Sequence, residues 1–379
     1  MKKRHIRYIC LVVAFVLLGS VLAACGGSDK NAPAPSASQA QQPQQSEQPA
    51  APAKKIEFIA NFQHAQAISP NWERVCNEIV ERSNGVLDTA QIYWSGALLS
   101  MAEVPMGLST GQASFCNLPT NNYVDIFPLN CRIIQMPFMG LKEANSSAEI
   151  YEQLYREFPE MQKELEDYGI IAIGAKCLGY YCMHFVDKNP VHTPQDLAGR
   201  QMIPYKMEFL PLLSEVNAGG TFIPPPQAYE ALEKNVADGY INNWAFAAWF
   251  GTTEIMQQHV NFGEYGAFQE FNILAFSKAF MDSLPADVQQ TIRDIVWNEG
   301  GYRSFYADTY ELVKDQKKIA EEKGDLIITL TPAEIEVWKE ALLPQHKIAL
   351  DEICEARGDD VAYKIYERAL ELIAEKARD

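Results

Sequence analysis

From Ile56 onward, short apolar runs alternate with stretches whose apolar residues recur at helical spacing, and this alternation narrows the possible folds more than any other feature of the chain. Ile56–Ala60 reads as a strand. Ser69 and Pro70 then supply a helix cap and a first-turn proline. Trp72, Val75, Cys76, Ile79 and Val80 follow at i, i+3, i+4, i+7 and i+8, one apolar helix face that Asn84-Gly85 ends. Ala90–Trp94 and Ala113–Cys116 read as strands with a helical segment, 102–110, between them, and Gly169–Ala175 and Gln201–Pro204 read as two more strands. Thr193-Pro194-Gln195-Asp196 opens a short helix, and the helix after Pro224-Pro225-Pro226 carries Tyr229, Leu232 and Val236 on one face. Pro285 opens a long helix with Val288, Ile292, Ile295 and Val296 inward, and Thr331-Pro332-Ala333-Glu334 is a capping box before a helical C-terminal region. Alternation of this kind, with no period of about 20–50 residues, predicts an α/β fold rather than a solenoid. The roughly 325 residues involved hold two such units. Ligands of open α/β sheets sit beyond the carboxyl ends of strands, so with two units the expected site is the crevice between them.

The chain ahead of Ile56 has a different character. Lys2, Lys3, Arg4 and Arg7 precede an apolar run from Ile9 to Leu18, and Leu22-Ala23-Ala24-Cys25 follows. A basic region, a short apolar region and a small-residue cleavage site make a secretory signal over residues 1–24. The four residues at the cleavage site resemble the bacterial lipobox, which implies lipid on Cys25 and attachment to a membrane surface without spanning it. The Gly, Ser, Ala, Pro and Gln of residues 26–53 bury too little to fold, so 25–54 reads as a lipidated cysteine and a flexible tether. The expected location is the outer face of the cytoplasmic membrane.

A net charge of -17 argues against a nucleic-acid partner. Six cysteines lie beyond Cys25 (76, 116, 131, 177, 182 and 354), at irregular spacings and without a CxxC pair, and most read as small buried apolar residues. No metal or cofactor motif appears. Gly107-Leu108-Ser109-Thr110-Gly111 matches GxSxG, but the helix precedes the strand, the reverse of a nucleophile elbow. No catalytic residue, metal or cofactor is expected.

Four segments carry a resemblance to a known family. Thr193-Pro194-Gln195-Asp196-Leu197-Ala198-Gly199 is one, and Ala228-Tyr229-Glu230-Ala231-Leu232 with Val236-Ala237-Asp238-Gly239 is the second. The third runs from Ser277-Lys278-Ala279-Phe280 through Ser283-Leu284-Pro285-Ala286-Asp287-Val288-Gln289, and the fourth is Tyr93-Trp94-Ser95-Gly96-Ala97-Leu98. In order and spacing they resemble the DctP-type solute-binding proteins of TRAP transporters, over about residues 55–345. The resemblance implies a fold like the type II periplasmic binding proteins: two α/β domains, a hinge and a long helix crossing both. The expected division is 55–180 plus about 269–308 for domain I, and 181–268 plus about 309–379 for domain II. It further implies capture of a small organic solute for membrane permease subunits driven by an ion gradient. A sensing partner for a signalling receptor is the second expectation.

The chain departs from the family at the site. The position of the family's carboxylate-binding Arg falls on Ile203, and that of a second Arg falls on Met183. An unpaired carboxylate in a closed cleft is costly, so either the solute is neutral or aromatic, or another cation has taken over. Lys206 is the first substitute, and Arg132 and His64 are weaker ones. Asn242 matches a family pocket amide. Asn61 and Asn117 lie at strand ends where a cleft belongs, and Tyr205 and Trp244 are candidate walls.

Overall fold

The computed structural model describes residues 54–142, 145–263 and 266–377. The signal, Cys25 and nearly all of the tether lie outside them. Among the described residues ten strands join in one mixed sheet: β1 (Ile56–Asn61), β2 (Leu87–Tyr93), β3 (Phe115–Pro119), β4 (Ile170–Phe185), β5 (Gln201–Pro204), β6 (Gly219–Gly220), β7 (Gly239–Asn243), β8 (Gln258–Asn261), β9 (Gln269–Ser277) and β10 (Leu326–Thr329). Their order is β2-β1-β3-β9-β4-β7-β5-β6, with β8 on β4 and β10 on β8.

One strand ties this sheet together. Residues 170–180 of β4 pair antiparallel with β9, whereas 181–185 pair with β7 and 182–185 with β8. The sheet therefore has a first half (β2, β1, β3, β9 and the start of β4) and a second half (the end of β4 with β5 to β8 and β10). The ladder slips beside Gly174 (φ 76°) and Gly179 (φ 110°), a backbone region that other residues rarely adopt. A Cβ on Gly174 would lie 2.2 Å from the Trp297 ring, so this position excludes any side chain.

Each half has its own apolar packing. The helix Pro70–Arg82 lays Trp72, Val75, Cys76 and Ile79 on the first half, as the sequence spacing predicts, beside Val288, Ile292 and Phe305. The opposite face of that half is covered by helices Ser146–Glu157, Pro344–Arg357 and Val361–Lys376. The second half packs Met183, Ile203, Tyr240 and Trp338 together. The C-terminal stretch 344–376 thus packs with the first half, although the sequence division assigned it to the second; Ala349, Ile353, Ala362 and Ile365 find their apolar partners there.

Local signals hold with particular exceptions. Both Thr193 and Thr331 form capping boxes. Ser69 does not cap; its hydroxyl bonds His64 Nδ1 at 2.7 Å instead. Val236 lies past the end of its helix and is exposed. The long helix is built as Ala286–Arg293, a π turn over Asp294–Asn298, and Gly301–Lys323. Its last part packs against the helices of both halves, Pro70–Arg82 and Trp244–Trp249. All six described cysteines are unpaired, five of them buried.

Candidate functional site

Strand register gathers four polar side chains on one face. Asn117 on β3 lies opposite Leu274, and Asn272 on β9 lies opposite both Pro119 and Lys176. Glu270 lies opposite Gly179. Cross-strand partners and residues two apart share a face, so Asn117, Lys176, Glu270 and Asn272 emerge together near the carboxyl end of β3. All four are buried.

Hydrogen bonds fix how these groups are oriented. The carboxylate of Glu270 accepts from the Tyr181 hydroxyl at 2.6 Å and from Asn243 Nδ2 at 3.0 Å, both on Oε2. Having donated its one proton, the Tyr181 hydroxyl accepts from Asn121 Nδ2, which leaves Asn121 Oδ1 outward as an acceptor. Asn117 Oδ1 accepts from the Gln63 amide at 3.3 Å, which leaves Asn117 Nδ2 as a donor. Asn243 Oδ1 caps the helix Trp244–Trp249 by accepting from the Phe246 amide at 2.9 Å. Several buried polar atoms around this cluster have no partner: His64 Nε2, Asn117 Nδ2, Asn121 Oδ1, Trp249 Nε1, Glu270 Oε1 and both amide atoms of Asn272. Buried polar groups are normally paired, so their convergence marks a place built for something else to bond.

An aromatic box closes one end. The His64 ring lies 4.9 Å from Trp72, 5.8 Å from Trp94 and 5.4 Å from Trp249. The Lys176 ammonium sits 5.0 Å from the Trp72 ring and 5.4 Å from that of Trp249, within cation–π range. Its hydrogen-bond partner is the Thr309 hydroxyl, at 3.3 Å, on the long helix. Burial pushes Lys176 down to about 8, partly opposed by Asp308 and Glu270. Lys206 is likewise pushed down to about 8 by burial, opposed by Glu208 and Glu270. Burial drives Glu270 up to about 7, opposed by the Tyr181 bond and both lysines. Burial, and then the Lys176 charge, hold His64 well below the usual imidazole range, so it is neutral. Near neutral pH both lysines are therefore largely charged and Glu270 is partly ionised, with Asp308 beside Lys176 and Glu208 beside Lys206.

Two cavities border the cluster. One, of about 580 Å³, opens between residues 100–125 of the first half and 205–227 of the second, and Asn121, Tyr205 and Lys206 line it. The other, of about 450 Å³, lies between β4 and the long helix and is lined by Tyr181, Asn243, Trp244, Thr309 and Lys317.

The residues singled out from sequence separate accordingly. His64, Asn117, Tyr205 and Lys206 stand at the cluster or the first cavity, where the Tyr205 hydroxyl accepts from Asn122. Asn61 does not take part: its amide bonds the Leu98 and Leu99 amides and the Leu99 carbonyl, anchoring a loop. Asn242 is occupied by the Tyr240 hydroxyl and the Asn243 amide, and its neighbour Asn243 faces Glu270 instead. Met183 and Ile203 belong to the apolar packing of the second half and border neither cavity. Trp244 lines the other cavity, bonding Asn261 and lying against the His259 ring at 4.3 Å, tilted by 32°. Arg132 is held by Glu208 at 3.2 Å and Glu352 at 2.9 Å. Sequence reasoning missed Lys176, Glu270, Asn272, Asn121, Tyr181, Asn243 and Trp249. For Lys176 a signal existed: it is a charge within a strand that is otherwise nearly all apolar.

Among solved structures, a TRAP solute-binding protein from Rhodoferax ferrireducens, in complex with copurified benzoate, is 18% identical with a TM-score of 0.74, covering 86% of this chain and 99% of that one. One from Desulfovibrio salexigens with bound orotic acid is 21% identical, TM-score 0.70, covering 84% and 100%. A Bordetella pertussis extracytoplasmic solute receptor binding pyroglutamic acid is 16% identical, TM-score 0.66, covering 84% and 99%. At these identities the likeness is one of fold: a mixed α/β architecture with a long helix. Among the described residues no helix is long and apolar enough to cross a membrane. Residues 64–352 match the bacterial extracellular solute-binding proteins of family 7, DctP, and over three-quarters of its length this chain belongs to that family.

Proposed function

We propose that this protein is the solute-capturing subunit of a TRAP-type secondary transporter, held at the outer face of the cytoplasmic membrane by lipid on Cys25. The two halves of the sheet act as lobes that close over a small organic solute, with β4 and the long helix as the connection between them. The observation that carries this reading is the convergence of unpartnered buried polar atoms from both halves, His64, Asn117 and Asn272 on one side and Trp249 on the other. Left unbonded, such groups cost on the order of 1–3 kcal/mol each, and a solute placed among them would restore their bonds.

A thermal-shift screen of organic acids, amides and neutral metabolites tests the capture step. A cognate solute at about 100 times its Kd adds about 2.7 kcal/mol, a rise of several degrees in Tm. Uptake in cells that also carry a TRAP-type permease tests the rest: it is expected to follow the ion gradient, not ATP hydrolysis, and Cys25→Ser is expected to release the protein from membranes. A blank screen over a broad metabolite library would refute solute capture, and ATP-driven uptake would refute the transporter assignment.

A further inference from the structure

The free polar atoms are sorted by kind. At one end lie donors: the Lys176 ammonium, with N–H groups to spare beyond its bond to Thr309, Trp249 Nε1, which can only donate, and Asn117 Nδ2, with the unpartnered His64 Nε2 beside them. At the other lie acceptors: Glu270 Oε1 and Asn121 Oδ1, joined through the Tyr181 hydroxyl, which accepts from one residue and donates to the other. Asn272, with both amide atoms free, stands between, opposite Lys176 in register and two residues from Glu270. Building on the solute-capture reading, we propose that the anion contact lies on Lys176, in the first half of the sheet, in place of the family's Arg positions in the second half, while Glu270 and Asn121 receive a hydrogen-bond donor from the same solute.

Lys176 suits an anion better than Lys206 does. Its surroundings offer further free donors, so a carboxylate there gains more than one charge-assisted or neutral bond. Lys206 lies over the Phe268 ring beside Glu208, whose carboxylate Arg132 already engages. The family's Arg positions, Ile203 and Met183, are closed off in apolar packing. The anion contact has therefore moved from the second half of the sheet to the first. The box of Trp72, Trp94, Trp249 and His64 beside it offers flat apolar walls to a ring.

Isothermal titration of the full-length protein with two matched sets of probes tests this: orotate, benzoate and uracil, then pyroglutamate, cyclopentanecarboxylate and 2-pyrrolidinone. Each set holds a carboxylate with a ring N–H, a carboxylate without one, and the ring amide without a carboxylate. In at least one set the bifunctional member is expected to bind about tenfold or more tighter than both of its relatives. Lys176→Met is expected to weaken that ligand about thirtyfold or more, and Lys206→Met less than about fivefold. Lys176→Met also removes a buried charge, so its Tm is expected at or above wild type, which separates lost binding from lost fold. Lys176→Arg, keeping the charge, is expected to bind better than the Met variant. Wild-type affinity in Lys176→Met, a single-function probe equalling its bifunctional relative in both sets, or no binding by any of the six would each overturn the assignment. Solute capture would still stand if the wider screen yields a ligand, and only a blank screen removes both.

Discussion

The two ends of β4 handle buried polar groups in opposite ways. At the far end, His184 Nδ1 meets His259 Nδ1 at 2.7 Å, and His259 Nε2 meets Asp325 at 3.2 Å. Cys182 Sγ lies 3.2 Å from His184 Nε2, and Lys323 lies 3.0 Å from Asp325. One proton arrangement satisfies the whole chain with both rings neutral: thiol to His184, His184 to His259, His259 to Asp325. Near the start of the strand, Lys176 faces atoms that have nothing to bond. Both regions are buried and both shift pKa values strongly, so a shifted pKa does not by itself distinguish a scaffold from a site. Satisfaction does: the closed chain holds the second half together, and the open cluster is the proposed binding site.

Substitutions can break or sharpen this contrast. The largest effect is expected from Ile203→Arg, which restores the family's cation but places it in apolar packing. The expected cost exceeds about 4 kcal/mol, seen as loss of soluble folded protein; a folded variant with stronger anion binding would return the site to the second half. Next is His259→Leu, which leaves His184 Nδ1 without its partner and Asp325 with Lys323 alone, and is expected to lower stability by about 3 kcal/mol in chemical denaturation without changing solute affinity. His64→Leu is expected to do the reverse, with a loss of affinity and a smaller loss of stability.

Glu270→Gln is expected to have the next largest effect, and its sign depends on pH. The folded-state pKa of Glu270, about 7, lies above its ordinary value of 4.5, so its protonated form is favoured by folding. Its contribution is full below pH 4.5 and is lost as pH rises through about 7. Gln removes this loss, so the variant is expected to be more stable than wild type at pH 8, by on the order of 2–3 kcal/mol, and equal to it near pH 4.5. His259 works the other way: burial lowers it from 6.5 to about 4, so its contribution is present above pH 6.5 and is lost as pH falls toward 4. Denaturation of both variants from pH 4 to 8 separates the two. The smallest expected effect is on wild-type affinity for a bifunctional carboxylate, which should rise as pH passes through about 7, where Glu270 ionises and Oε1 is freed to accept, and fall above about 8 as Lys176 discharges.

The sequence made the frame readable and the site only in part. Pro70–Arg82 was legible because five apolar residues repeat on one helix face, and the capping boxes at Thr193 and Thr331 because their signal is local. The full length of β4 was not, since Gly174 and Gly179 interrupt its pattern and its later half is held by pairing with β7 and β8, far away in sequence. Asn117 was found at a strand end, Lys206 because it follows the family's Arg position, His64 as a substitute cation and Tyr205 as a candidate wall. Asn61 was read from its strand end and Asn242 from its match to a family amide, but only the fold reveals that their amides bond neighbouring backbone or Tyr240. Lys176, Glu270 and Asn272 become one site only when β4, β9 and β3 are set in register.

The most direct measurement is a crystal structure of the protein with the tightest-binding probe from the two matched sets. The expected result is a carboxylate within hydrogen-bond distance of Lys176 Nζ, with the solute's N–H directed at Glu270 Oε1 or Asn121 Oδ1. A carboxylate bound to Lys206 or Arg132, or a solute seated beside Trp244 between β4 and the long helix, would contradict it.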